Sequence, residues 1–192
     1  MMAAQGASAY PLGMFHLMTH AAFKALLFLA CGSVIMAMHH DQDIRHMGGL
    51  AKRMPVTYLC FLIGGIALAG LPPFAGFYSK DMIIQAVHLS TLPGAYFSYL
   101  LVLGGVMVTA IYTFRVFMMV FHGPYRGKDV LPDQVKESPK VVLLPLIALS
   151  IPAMFAGWIF IEPALHGFFG NSIFILPLSL IHISEPTRRY SI

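Results

Sequence analysis

Residues 56–87 read VTYLCFLIGGIALAGLPPFAGFYSKDMIIQAV, and this stretch decides the fold. As one unbroken helix it would be about 48 Å long at ~1.5 Å per residue. The hydrocarbon core of a bilayer is only about 30 Å thick. Near its middle stand Gly70-Leu71-Pro72-Pro73-Phe74-Ala75-Gly76. Pro72 and Pro73 lack N–H groups, and their rings clash with the preceding turn. Gly70 and Gly76 lower the barrier to unwinding. The stretch therefore predicts two half-helices joined by an extended peptide. Backbone groups freed at that depth must be buried in protein or line a wet cavity, and transporters place ion sites at such breaks.

The sequence on either side of this stretch belongs in a membrane. Of 192 residues, 58% are hydrophobic and 10% charged, and the mean hydropathy is +0.75. A soluble domain carries roughly 25% charged residues, so a water-soluble globule lacks the charge to cover its surface. Disorder is excluded by the same apolarity. The chain reads as all-α, a polytopic helical membrane protein with about four transmembrane helices, one of them broken. The spans cover residues 12–38, 56–87, 96–121 and 141–161, each near the ~20 apolar residues a crossing needs or longer. Residues 1–10 read as the tail of an earlier span, and 162–177 fit neither span nor loop. Gly64-Gly65 and Gly104-Gly105 are expected to let helices approach closely.

The loops orient these spans. Arg45, Lys52 and Arg53 lie between the first and second, and Arg126, Lys128, Lys136 and Lys140 between the third and fourth. The link at 88–94 carries no Lys or Arg. Single crossings put the two basic loops on one side, and the positive-inside rule makes that side cytoplasmic. With Lys+Arg at 12 and a net charge of +4, the basic residues read as orientation signals; no nucleic-acid partner is expected, and the lipid bilayer is the implied surroundings.

Charges at bilayer depth are expensive and functional by default. His16, His20 and Lys24 recur at i, i+4 and i+8, along one helix face. One histidine alone would read as a hydrogen-bonded packing residue. Two imidazoles and an amine in a row form what a proton relay needs, because histidine titrates near neutral pH and a desolvated lysine can release its proton. Lys80 and Asp81 follow the break. They are either a second proton-carrying amine with a carboxylate tuning it, or a local ion pair near a helix end. Arg115 is permanently charged and is expected to pair with a carboxylate or reach toward the loops.

Several chemistries are unsupported. Cys31 and Cys60 lie in apolar runs without a C-x-x-C, which argues against a disulfide framework or a zinc ribbon. They read as small buried residues. His39, His40 and His46 stand near Asp41 and Asp43, but the spacing matches no standard ligand set, so no metal is assigned and the cluster reads as interfacial. No P-loop, dinucleotide fingerprint or H-E-x-x-H occurs.

The stretch from His16 to Leu29, with Thr19, His20 and Lys24, resembles the signature span of the antiporter-like subunits of respiratory complex I, NADH–quinone oxidoreductase. The continuations Gly32-Ser33-Val34-Ile35, His39-His40 and Met47-Gly48-Gly49-Leu50 are most similar to the L branch of that family, subunit 5 in mitochondria. Gly70 to Asp81 resembles its second discontinuous helix, and Tyr112-Thr113-Phe114-Arg115 with Phe121-His122-Gly123 its next span. The likeness covers about residues 1–160.

This resemblance implies an antiporter-like inverted-repeat fold and a role in redox-driven proton translocation in the bacterial inner membrane. It places His16, His20 and Lys24 in the central relay and Lys80, with Asp81 beside it, near the exit. It puts NADH, FMN, iron–sulfur clusters and quinone in partner subunits, with no cofactor in this chain. Other membrane subunits are the implied partners. A sodium/proton antiporter large subunit shares the fold, and a packing-only subunit with paired lysines is the alternative from another class.

Residues 178–192 are expected to be the in-frame translation of a sequencing adapter and not native sequence. Residues 1–177 are then read as a fragment of the membrane domain.

Overall fold

A computed structural model describes residues 1–127 and 130–165. The expectation for 178–192, most of the ambiguous stretch 162–177, and Lys128 lie outside the described residues. The described residues are helical throughout, joined by loops and short 3-10 turns, with no strand among them. The elements are α1 (Met2–Gly6), α2 (Tyr10–Ala37), α3 (Pro55–Ala69), α4 (Ala75–His88), α5 (Ala95–Phe121) and α6 (Lys140–Leu165).

Among the described residues, three helices are long and apolar enough to cross a membrane: α2, α5 and residues 140–163 of α6. With 28 residues, α2 is about 42 Å long and overshoots the hydrocarbon core. It starts with a proline in its first turn, where the missing N–H costs nothing. It stops where His39 and His40 turn to positive φ, 51° and 72°. The fourth crossing is the broken one. α3 has 15 residues and α4 has 14, so each spans only about 21–23 Å.

The break falls where the glycines and prolines stand. Gly70 ends α3 in the left-handed conformation at φ 80°. Its N–H donates to the carbonyls of Ile66 and Ala67, and the N–H of Leu71 donates to Ile66, which closes the helix end. Pro72–Pro73 is a cis peptide. Phe74 is extended at φ −73°, ψ 158°, and α4 begins at Ala75. A Cβ on Gly76 would overlap the Ala67 carbonyl, so the start of α4 lies directly against the end of α3.

α2 is the central helix, packed chiefly against α6 and α3, with α4 touching α2, α5 and α6. Phe23, Leu26 and Ala30 of α2, Leu68 of α3, Phe117 and Phe121 of α5, and Leu146 of α6 form one buried core. Gly157 of α6 sits over the start of α4, where a Cβ would come 2.5 Å from the Ala75 Cα. Gly64 and Gly65 do allow close approach, with Leu27 at 2.9 Å and Thr113 at 3.3 Å from the Cβ each lacks. Gly104 and Gly105 do not: nothing among the described residues lies within 4 Å of either. Their helix turns that face outward, beside the exposed Leu100, Leu101, Met107 and Val108.

The loops at 38–54 and 122–139 meet at one end of the molecule, as the span count requires. The Gly49 N–H donates to the His122 carbonyl at 3.2 Å, Arg126 Nε donates to the Arg45 carbonyl at 3.1 Å, and Arg53 lies over the Tyr125 ring. Arg115 is exposed on α5; the loop end holds the ion pairs Arg45–Asp43 and His46–Asp41.

Candidate functional site

The three α2 residues share a face, as their spacing requires. The His16 and His20 ring centroids are 5.7 Å apart. His20 meets the Phe23 ring edge-on. The Lys24 ammonium lies 5.6 Å from the centre of the Phe28 ring, a cation–π distance. All three are half-buried.

α4 joins this row through a residue the sequence reading passed over. His16 Nδ1 is 2.9 Å from Ser79 Oγ. Thr19 Oγ1 lies 3.0 Å from the same oxygen and 3.1 Å from the His16 carbonyl. Ser79 and Thr19 are both fully buried. Their signal was available: Thr19 lies between the two histidines, Ser79 precedes Lys80, and small hydroxyl residues in membrane helices seek partners across the interface.

Lys80 Nζ donates to the Leu68 carbonyl, on the last turn of α3. Its stem passes Gly70, where a Cβ would lie 3.1 Å from Lys80 Cδ. The broken helix thus supplies the partner for its own lysine: a carbonyl that an unbroken helix would have used internally. The local Lys80–Asp81 ion pair is not formed. Consecutive helical residues diverge by about 100°, and Asp81 instead accepts from Gln85 Nε2 at 2.6 Å, one turn on. Of the break residues, Gly70 and Gly76 permit the close crossing, and Pro72 and Pro73 occupy the connecting peptide.

The loop end holds its charges differently. Asp43 takes a side-chain hydrogen bond from Arg45 and a backbone one as well, which holds its carboxyl well below the usual carboxylate range. Asp41 is lowered too, first by the Asp43 N–H and then by His46. His39 and His40 are exposed. Among the described residues, no group of three or more His, Cys, Asp or Glu could hold a metal ion. Cys60 is buried and Cys31 half-buried, both free.

A second hydroxyl cluster was also missed. The Glu137 carboxylate accepts from the Val56 N–H at 2.8 Å, the Thr57 N–H at 3.3 Å and the Thr57 hydroxyl at 2.6 Å. It caps α3 from outside, where Pro55 has no N–H and the next two donors would be orphans. Because Thr57 gives its proton to Glu137, it accepts from Ser33 at 2.9 Å, and Ser33 in turn accepts from Ser138 at 2.6 Å. Only long-range packing brings residue 137 to residue 57, so no local pattern announces it.

Residues 1–111 match the model of the family described as NADH:quinone oxidoreductase/Mrp antiporter, transmembrane. The chain is 54% identical to NADH-quinone oxidoreductase subunit L of Neisseria meningitidis serogroup B over 91% of its own length. It spans only 28% of that relative. Among solved structures, it resembles a chain of the membrane-bound sulfane sulfur reductase, an archaeal respiratory membrane complex. That likeness has a TM-score of 0.65 at 30% identity, over 75% of this chain and 23% of that one. The Mrp complex from Dietzia sp. DQ12-45-1b matches in fold, with a TM-score of 0.61 at 20% identity, over 96% of this chain and 38% of that one.

Proposed function

This chain belongs to the NADH:quinone oxidoreductase/Mrp antiporter transmembrane family, and from that premise we propose that it is part of a proton-translocating membrane subunit of NADH–quinone oxidoreductase, of the L branch. The observation that carries this reading is the linked polar row. His16, His20 and Lys24 lie on one face of α2, and His16 shares a part-buried hydrogen bond with the half-helix that bears Lys80. Oxidation of NADH and reduction of quinone belong to partner subunits, which hold the nucleotide, flavin, clusters and quinone. Other membrane subunits flank this one in the bacterial inner membrane. The loop end with Arg45, Lys52, Arg53, Arg126 and Lys136 faces the cytoplasm.

The chemistry follows from the partners. Lys24 faces an aromatic ring and Lys80 a carbonyl, so neither has a carboxylate fixing its charge among the described residues. An amine whose partner is neutral can lose a proton and keep a hydrogen bond, because a neutral amine still donates. Asp81, bonded to Gln85 one turn on, lies on the same half-helix but is not a direct counter-ion to Lys80.

Lys24→Met keeps length and apolarity but removes the titrating group. In the intact complex, reconstituted in sodium-free vesicles, it should lower proton translocation about ten-fold or more while the complex still assembles. A ten-fold loss corresponds to about 1.4 kcal/mol. Wild-type translocation by an assembled Lys24→Met complex would leave the lysines a structural role. Activity that requires added sodium would favour the antiporter reading, whose fold this chain shares.

A further inference from the structure

We propose that Ser79 is a positioning residue for His16: a hydroxyl that reverses its hydrogen-bond direction to match either protonation state of Nδ1. The proposal rests on the relay reading above and adds a residue to it.

The hydroxyls of Ser79 and Thr19 have a fixed number of protons and few acceptors within reach. Ser79 Oγ carries one proton and lies within reach of three groups: His16 Nδ1 at 2.9 Å, Thr19 Oγ1 at 3.0 Å and the Gly76 carbonyl at 3.5 Å. Thr19 Oγ1 carries one proton and reaches Ser79 or the His16 carbonyl at 3.1 Å. Both hydroxyls are fully buried, so water offers no alternative partner, and an unpaired polar atom there is costly.

Two arrangements satisfy every group. When Nδ1 holds a lone pair, Ser79 donates to Nδ1 and accepts the Thr19 proton. When Nδ1 holds a proton, His16 donates to Ser79 Oγ. Ser79 then turns its proton to Thr19 Oγ1 or the Gly76 carbonyl, and Thr19 donates to the His16 carbonyl. Two hydroxyl rotations connect the arrangements. The proton that distinguishes them does not pass through the hydroxyls: the imidazole turns about its Cβ–Cγ bond, brings Nδ1 to the side of His20, whose ring centroid lies 5.7 Å away, exchanges the proton with the row there and returns to Ser79.

A carbonyl in place of Ser79 could only accept, and would hold His16 with a proton on Nδ1 permanently. An N–H could only donate, and would keep that proton off. A hydroxyl is the one side-chain group of this size that does both. Ser79 also sits beside Lys80 on the first turns of α4, so any shift of that half-helix is felt at His16.

The test uses the whole complex in vesicles, measuring protons translocated per NADH oxidised, with Lys24→Met run alongside. Ser79→Ala should lower the ratio at least about five-fold, the size expected for a lost buried partner, with assembly intact. Ser79→Thr should restore most of it, and Ser79→Cys, similar in size but a weak donor, should fall between. Thr19→Val should show a smaller loss than Ser79→Ala. Wild-type translocation by Ser79→Ala overturns the proposal. So does a series in which Cys equals or exceeds Thr, because flux would then follow packing and not the hydroxyl. If Lys24→Met also translocates normally, the relay reading itself has failed; if Lys24→Met is defective while Ser79→Ala is normal, only Ser79's role falls.

Discussion

The loop end holds carboxylate pairs for Arg45 and His46 beside neutral partners for Arg126 and Arg53, whereas the partners of Lys24, Lys80 and His16 in the bilayer interior are neutral. At the loop end Arg45 meets Asp43 and His46 meets Asp41, oppositely charged or chargeable pairs at 2.6 and 2.9 Å. In the interior Lys80 meets a backbone carbonyl, Lys24 an aromatic face and His16 a hydroxyl. A carboxylate favours the charged form of its partner and resists deprotonation. A carbonyl or hydroxyl pairs with either form. Carboxylate pairs thus stand at the loop end, and the interior amines and His16 have partners that do not fix their charge.

The largest effect should come from making the interior resemble the loop. Ile84→Glu places a carboxylate one turn from Lys80, at i, i+4. A nearby opposite charge raises a lysine's pKa by about one unit or more. Proton translocation should fall roughly ten-fold while NADH oxidation and assembly persist, and Ile84→Gln should be far milder. Equal translocation by an assembled Ile84→Glu complex would break the contrast between the two regions.

A middle-sized effect is expected where the regions join. Glu137→Ala removes the acceptor of two N–H groups and one hydroxyl at the start of α3. Loss of a helix cap costs about 0.5–2 kcal/mol. The purified complex should unfold a few degrees earlier, read by thermal inactivation, and Glu137→Gln should recover part of the loss. An unchanged unfolding temperature in Glu137→Ala would show that water replaces the cap at no cost.

The smallest effect belongs to the exposed pair. Asp43 has a lowered pKa in the folded chain, so its contribution is complete above the unfolded carboxylate value near pH ~4 and declines as the pH falls below it. Amide exchange at Arg45 should accelerate below about pH 4 in the wild type, and Asp43→Asn should lack that acid step. Translocation at neutral pH should be unchanged, since exposed pairs are weak and screened by salt. A translocation defect in Asp43→Asn would mean the loop takes part in proton transfer.

Much of this was legible in the sequence because it depends on local chemistry. The break at Gly70–Gly76 follows from prolines without N–H groups and glycines free of a Cβ. The shared face of His16, His20 and Lys24 follows from helical periodicity. The common side of the two basic loops follows from counting crossings. What stayed hidden depends on which helices meet. Ser79 and Glu137 matter through partners 60 or more positions away, Thr19 and Thr57 among them. Asp81 next to Lys80 was readable as a local ion pair or as a carboxylate tuning a proton-carrying amine; helical geometry turns the two side chains apart and gives Asp81 to Gln85. Gly104-Gly105 looked like Gly64-Gly65, yet only the latter faces a neighbouring helix. A dipeptide does not say which side of its helix is covered.

The break has one more consequence, in the field it creates. Each half-helix carries a macrodipole of about half a unit charge at each end. Halfway across, the negative end of α3 and the positive end of α4 lie side by side, because Gly76 sits against the Ala67 carbonyl. Lys80 springs from the second turn of the positive end and reaches to the negative end, where its ammonium meets about half a counter-charge. That attraction is weaker than a carboxylate's. It is made wholly of main-chain groups. No single side-chain truncation removes it; only a sequence that mended the helix would.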